Sequence, residues 1–357
     1  MSSVQYMQVF LHALNHQEAA LEAALAAEPF DPGEFFQFAR RHTVAGHLYG
    51  LLSDAGWLEL LPSALEDKLA EVHQIQLEKA DRLLPETQRL RQGFEQAGID
   101  VIFMKGPFLS KRFYGDARRR FFGDIDLLVR DRRDLVRSDA VLRGAGYERR
   151  SIRLLGHRTV MRFAYHFVYR GENAKIDLHW ALRSHFSYRI DRDRLWATRK
   201  TVSLGGHEFS VLSAEYVLVL LMLSVLTDYQ KARVRLKFMT DLFMVLRSVG
   251  DDTDWEAFFQ RRQQEGLLRI SLTVLDLVLG LFGAPREFKS LSRALSSYGE
   301  LWKDYRLAAP KEFLEWSEKP RDKLRNHLWT FRLHEGGMTR SLGWRLLAEP
   351  FGRAVFR

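Results

Sequence analysis

The sequence of 357 residues contains no cysteine. Disulfide bonds and thiolate metal sites are therefore excluded, which fits a reducing compartment. The longest hydrophobic run, residues 211–226, is too short to cross a bilayer and carries Glu215, so it predicts a buried helix. The N-terminus lacks the basic and apolar segments of a signal peptide. We expect a cytoplasmic protein that makes no membrane contact.

Motifs of several large enzyme classes are also missing. The chain has no G-x-x-x-x-G-K-[ST] phosphate loop, no G-x-S-x-G nucleophile elbow and no H-E-x-x-H zinc helix. These absences argue against P-loop nucleotide hydrolysis, α/β-hydrolase chemistry and zinc proteolysis.

Basic residues are few in the first part of the chain, although the net charge is +9. Residues 1–96 hold seven Lys or Arg against fourteen Asp or Glu, so the basic excess lies in the remainder, most densely in residues 112–199. Such asymmetry suits an anionic ligand, such as a nucleoside triphosphate or a nucleic acid. A solvated basic surface gives the same composition.

The most informative stretch is residues 105–129. Two apolar runs, residues 99–104 just before this stretch and residues 124–130 at its end, are short and β-branched. They predict two buried strands. Asp124 and Asp126 open the second run, and the alternation of side chains along a strand puts both on one face. Two like charges there are costly unless a cation neutralises them. A divalent metal ion is the expected neutralising partner.

A third carboxylate, Asp177, interrupts another strand-like run, residues 174–182. This run is expected to form a hairpin with residues 162–170. If its strand neighbours the one bearing Asp126, three carboxylates converge. That is an all-oxygen site of the magnesium type, suited to holding a nucleotide's phosphates.

The motifs of this region resemble those of a known family. They are K-G at residues 105–106, R-x-x-G-D-I-D-L-L-V at 120–129 and I-D-L-H-W at 176–180. They are similar to the bacterial family called uncharacterised nucleotidyltransferases, within the polymerase-β-like superfamily. The resemblance covers most of the chain.

The resemblance implies an α+β fold with a small mixed nucleotidyltransferase sheet. Residues 97–205 would be the catalytic core, because their hydrophobic spacing is strand-like. Residues 1–96 and 206–357 have helical spacing and would be N-terminal and C-terminal helical regions.

The implied reaction transfers a nucleoside monophosphate from a nucleoside triphosphate, ATP being the expected donor, to a hydroxyl group, with release of pyrophosphate. Asp124, Asp126 and Asp177 would be the catalytic residues and would hold two magnesium ions. Such ions can clamp both the attacking and the leaving oxygen. Asp177 would lie next to the acceptor hydroxyl and help to take its proton.

Nucleotide binding would fall to Lys105, Gly106, Arg120 and Gly123. A glycine lets backbone N–H groups approach phosphates closely, and the cations neutralise the triphosphate. The usual superfamily turn is Gly-Ser, with D-x-D about a dozen residues later. In this chain Pro107 follows the glycine and the gap is longer, so the sequence departs from the usual pattern at the donor-binding turn.

Several of these residues have structural alternatives. Lys105 could form an ion pair with an aspartate, and Arg118 and Arg119, weaker phosphate candidates, could be solvated. His179 shares a face with Asp177 and predicts a hydrogen bond to a metal ligand rather than direct ligation.

Lys237 and Asp241 lie one helical turn apart in the C-terminal region. They match a position where such proteins place nucleotide-facing residues. An i,i+4 ion pair is the alternative that we favour.

Three functions follow from these observations. The first is a magnesium-dependent nucleotidyltransferase whose acceptor is a small molecule, a peptide or a protein. The second is a non-catalytic nucleotide-binding or protein-interaction module on the same scaffold. The third is nucleic-acid tailing, which has only the basic surface in its favour and predicts steep salt dependence of RNA binding.

Overall fold

The computed structural model describes residues 2–150, 165–182, 189–250, 252–283, 288–299 and 314–333. Within these ranges the protein is α+β, as predicted, with fourteen α-helices and one seven-stranded sheet. The first residues of the predicted hairpin, 162–164, lie outside the described residues, as does the tail after residue 333.

Five helices precede the sheet. They are α1 (Ser3–Leu14), α2 (Glu18–Ala26), α3 (Pro32–Arg41), α4 (Ala45–Ala55) and α5 (Ser63–Gln96), with a short 3-10 turn at Leu58–Leu60 between the last two.

Local sequence signals explain where these helices begin. A capping box starts α1: the Ser2 side chain accepts from the backbone N–H of Gln5, whose side chain accepts from the backbone of Ser2. Asp31 caps α3, accepting from the Glu34 N–H at 2.9 Å. The helix α5 runs through Pro85 without interruption and is continuous over 34 residues. Side chains on both sides of the proline, Leu83 before it and Leu90 after it, are buried in the same core.

The sheet has the order β3-β4-β5-β2-β1-β7-β6. Its strands are β1 (Val101–Phe103), β2 (Ile125–Val129), β3 (Glu148–Arg149), β4 (His166–Arg170), β5 (Lys175–His179), β6 (Lys200–Leu204) and β7 (His207–Val211). As predicted, β4 and β5 form an antiparallel hairpin, and β5 lies beside β2, to which it is parallel.

The expected start of helical structure at residue 206 is wrong. That boundary falls within the β6–β7 hairpin, and β7 joins the sheet by parallel pairing with β1, where Phe103 lies opposite Val211. The next helix starts only at Ala214. The pairing joins segments about a hundred residues apart, so no local spacing in the sequence announces it.

The remaining helices lie between the strands or follow the last strand. Two lie between strands, α6 (Pro107–Tyr114) and α7 (Arg132–Gly144), and α8 (Arg192–Ala197) precedes β6. The others are α9 (Ala214–Gln230), α10 (Leu236–Val249), α11 (Trp255–Gln264), α12 (Leu268–Phe282), α13 (Lys289–Ser297) and α14 (Pro320–Phe331). None of the helices in the described ranges is both long and apolar enough to cross a membrane.

The two faces of the sheet belong to different apolar cores. Leu127 and Val129 of β2 pack in a core with the C-terminal half of α5, whereas Leu128 packs in the larger core with the N- and C-terminal helices. Asp126 alternates with Ile125 and Leu127, so it shares the face of Leu128. The acidic residues therefore lie on the face of the sheet that borders the larger core, not on the face covered by the C-terminal half of α5.

Candidate active site

The candidate site is a short ladder of polar side chains across β2 and β5. The strands pair in register, so Asp126 lies directly opposite Asp177 and Leu128 opposite His179. The Ile125–Ile176 pair precedes them. One step further, Asp124 lies opposite Lys175, on the same face as Asp126 and Asp177. The pairing of β2 and β5 thus brings the carboxylates of the two strands together, as predicted.

Asp126 is the most buried carboxylate of the site, 8% exposed. Burial opposes its ionisation, but Lys105, with Nζ 3.8 Å from Oδ1, and His179, with Nε2 3.2 Å from Oδ1, outweigh this and hold the pKa of Asp126 below its ordinary value. Lys105 therefore pairs with an aspartate, the alternative role given to it above. His179 also makes a hydrogen bond to Asp126, one of the predicted metal ligands.

The pKa of Asp177 is shifted in the opposite direction. Burial and the negative charge of Asp126 raise the pKa of Asp177, although Lys175 opposes them. Its Oδ2 accepts from Lys175 Nζ at 2.9 Å, and its Oδ1 is buried without a hydrogen-bond partner. A buried carboxylate oxygen with no donor is unsatisfied unless a cation or a proton completes it.

The geometry suits one metal ion. One ligand atom each from Asp126, Asp177 and His179 lie within 4.8 Å of one another. Two carboxylates and an imidazole are ligands that divalent cations accept. These residues could hold a metal ion. The grouping includes His179, which we expected to remain outside the ligand set, and does not include Asp124.

Lys175 was missed by the sequence analysis. Its Nζ lies 3.1 Å from Asp124 Oδ2 and 2.9 Å from Asp177 Oδ2, so it bridges the outer and the inner carboxylate. Burial disfavours its charge, but the two aspartates prevail and raise the pKa of Lys175. Its place two residues before Asp177, on the same strand face, was the signal that could have revealed it.

Gly106 forms the turn between β1 and α6, as predicted. Its φ of 64° lies in the region that favours glycine, and Pro107 occupies the first turn of α6. Gly123 lets the Lys79 side chain approach the backbone closely, because a Cβ at this position would lie 3.1 Å from Lys79 Nζ. The nucleotide-binding roles of Gly106, Gly123 and Lys105 stay predictions.

The strongest contacts of Arg120 are with Asp241 and not with the carboxylate ladder. Arg120 is 3% exposed, and its Nε and Nη2 donate to Asp241 Oδ1 and Oδ2 at 2.6 and 2.7 Å. The Tyr114 hydroxyl donates to the same Oδ1 at 2.7 Å. Burial opposes the charge of Asp241, yet Arg120 keeps the pKa of Asp241 below its ordinary value. The guanidinium is thus occupied by a buried fork-to-fork ion pair, which leaves its predicted phosphate role without support.

The favoured Lys237–Asp241 ion pair is wrong, because Asp241 pairs with Arg120 instead. Lys237 Nζ lies 5.7 Å from the centre of the Phe121 ring, and Lys79 Nζ lies 5.2 Å from the same ring. Burial and the charge of Arg120 lower the pKa of Lys237 to about 7. Lys237 and Lys79 therefore flank the segment that leads into Asp124, and Lys79 was not foreseen.

The neighbouring arginines contact the N-terminal helices. Arg118 pairs with Asp81 at 3.4 Å, and Arg119 pairs with Asp54 and donates to the Gly50 carbonyl at 3.0 Å. These contacts fix the loop before β2 to α4 and α5.

The fold is a mixed sheet that carries paired carboxylates on adjacent strands, with lysines around them. Together they define a candidate site for a cation and a phosphorylated ligand. The family model described as "uncharacterised nucleotidyltransferase" matches residues 28–283, which include the entire site. The chain belongs to this nucleotidyltransferase family, and it is thereby a transferase.

Solved structures with weak similarity include two nucleotidyltransferase-type proteins. ANT(2")-Ia, in complex with adenylyl-2"-tobramycin, is 12% identical; the match covers 51% of this chain and 98% of that chain, with a TM-score of 0.36. An antigenic nucleotidyltransferase-like protein from Paracoccidioides brasiliensis is 20% identical, over 60% and 93% of the two chains, with a TM-score of 0.37. No curated protein matches the sequence.

Proposed function

We propose that the protein is a magnesium-dependent nucleotidyltransferase that moves a nucleoside monophosphate from a triphosphate, with ATP as the preferred donor, to a hydroxyl group of an acceptor. The observation that carries this proposal is the register of β2 and β5, which sets Asp126 opposite Asp177. Family membership supplies the reaction class. We place the reaction in the cytoplasm, which the absence of cysteine favours.

In the proposed reaction the acceptor oxygen attacks the α-phosphorus. A new P–O bond forms, the bond to the bridging α–β oxygen breaks, and pyrophosphate leaves with the electron pair. Asp177 would receive the acceptor proton, because its Oδ1 is buried without a donor. Charge grows on oxygens throughout this step, so positioning and fixed positive charge are the main contributions of the protein.

Magnesium, when bound, supplies Lewis-acid stabilisation of the phosphate oxygens. Asp126, Asp177 and His179 would hold one such ion. Two ions, as the family resemblance implies, would also require Asp124, whose Oδ2 Lys175 engages.

The triphosphate would lie near the lysines around the loop before β2. Lys105 adjoins Asp126, and Lys237 and Lys79 flank Phe121. A lysine with a pKa of about 7, as at Lys237, gains its proton readily when a phosphate approaches, since the added negative charge favours the ammonium form. We therefore assign to Lys237 the role of neutralising the triphosphate, which the sequence analysis gave to Arg120.

The test uses purified protein with each α-labelled triphosphate, magnesium and fractionated cell extract. Transfer predicts pyrophosphate release and an acceptor that gains the mass of a nucleoside monophosphate. Asp126→Asn should abolish both signals. The matched control is Asp81→Asn, which changes an exposed aspartate on α5.

Nucleotide binding without pyrophosphate release, unchanged in Asp126→Asn, would instead establish the non-catalytic module. Labelled RNA as the main product would establish tailing. Labelled small molecules, peptides or proteins would identify the class of acceptor.

A further inference from the structure

We propose that the Lys175 ammonium stands in for the second divalent cation, so that the site takes up one metal ion and not two. This inference rests on the proposed function and assigns the source of the second positive charge in that site. It starts from the position of Nζ, 3.1 Å from Asp124 and 2.9 Å from Asp177.

The register keeps Lys175 next to both carboxylates. Lys175 and Asp177 are two residues apart on one strand, so they lie on the same face. Asp124 comes immediately before β2, opposite Lys175. The ammonium is therefore tethered beside both carboxylates and cannot diffuse away as a solvent ion would.

The ligand atoms divide between two cations. Asp126, Asp177 and His179 provide a set compact enough for one metal ion. Asp124 lies outside that set and is engaged by Lys175. Two metal ions about 3.5–4 Å apart need shared carboxylates. A second ion that used Asp124 would have to displace the ammonium and would be repelled by it.

An ammonium group can also contact the phosphate oxygens as a second metal ion would. It has three N–H donors, and the two carboxylates take two of them. The third remains for a phosphate oxygen. Lys175 is 39% exposed at its side chain, so a ligand can reach it.

The experiment counts manganese ions per protein chain at saturation, with the uncleavable analogue α,β-methylene ATP present, by dialysis and electron paramagnetic resonance. The wild type should bind one ion per ternary complex. Lys175→Met should bind two, because the freed carboxylates accept a metal ion. Lys175→Arg, which keeps the positive charge, should again bind one. The matched control is Lys111→Met, at an exposed lysine of α6, which should bind one.

Two ions in the wild type, or one in Lys175→Met with native circular dichroism, would overturn the inference and leave the proposed function intact. If Lys175→Met does not fold, the count in the wild type and in Lys175→Arg decides. No bound manganese in the wild type would overturn the proposed magnesium-dependent reaction, and the inference with it.

Discussion

Two acid–base clusters lie near the loop that leads into β2, and they differ in which of their polar atoms remain unsatisfied. In the first, Arg120 and Asp241 are 4% and 0% exposed at their side chains, and both oxygens of the aspartate are engaged. In the second, Lys175 bridges Asp124 and Asp177 while one oxygen of Asp177 has no donor. A closed ion pair holds structure, and an open one can accept a ligand. The Arg120–Asp241 pair thus anchors the loop that leads to Asp124 and β2.

The largest effect that we expect is from Asp126→Asn. It removes the charge that both Lys105 and His179 contact, and with it a ligand of the proposed metal site. Transfer should fall by about 10³-fold, comparable to the loss of a central electrostatic group in other enzymes. The measurement is the rate of pyrophosphate release. A loss of less than about tenfold would show that Asp126 is not part of the catalytic site.

Arg120→Ala should be the largest loss of stability. It leaves Asp241 charged and buried, and removing one partner of a buried pair typically costs about 3–5 kcal/mol. Urea denaturation measures the change in the free energy of unfolding. The double variant Arg120→Met with Asp241→Leu should recover much of it, because no unpaired charge remains. An equally unstable double variant would mean that the pair does more than cancel charge.

Lys237 predicts a pH dependence of triphosphate binding. With its pKa lowered to about 7, the side chain is charged below that pH and neutral above it. ATP affinity should therefore fall several-fold as the pH rises from 6 to 8.5. Lys237→Met should bind weakly at both values, and its own pH profile corrects for titration of the nucleotide. Parallel profiles in the two proteins would remove Lys237 from the binding site.

The smallest effect belongs to Arg118→Ala. Arg118 and Asp81 are 46% and 58% exposed at their side chains, and exposed ion pairs contribute about 0–1 kcal/mol. The free energy of unfolding should therefore change by less than about 1 kcal/mol, measured by the same denaturation. This variant is also the control for Arg120→Ala, since the two arginines are two residues apart. A loss as large as that of Arg120→Ala would remove the distinction between buried and exposed arginines of this loop.

The sequence was sufficient where the signal was local. Short β-branched runs predicted β1 and β2, and alternation with a glycine turn predicted the β4–β5 hairpin, so Asp177 could be placed beside Asp126. Family motifs then supplied the chemistry. These features depend on neighbours within a few residues or on a pattern that many chains share.

The sequence was insufficient where distant partners decide. Arg120 and Asp241 are 121 residues apart, and nothing in either motif says that they meet. The pairing of β7 with β1 is equally remote. Lys175 was overlooked for another reason: its partner Asp124 becomes visible only once the register of two strands is known. Charge alone could not distinguish a phosphate-binding arginine from one that holds the fold together.

The most direct test of the carboxylate ladder is a crystal structure of the protein grown with manganese and α,β-methylene ATP, with anomalous scattering collected at the manganese edge. We expect an anomalous peak in contact with both Asp126 and Asp177, and the triphosphate beside it. A bound triphosphate with no peak between these two carboxylates would contradict the account.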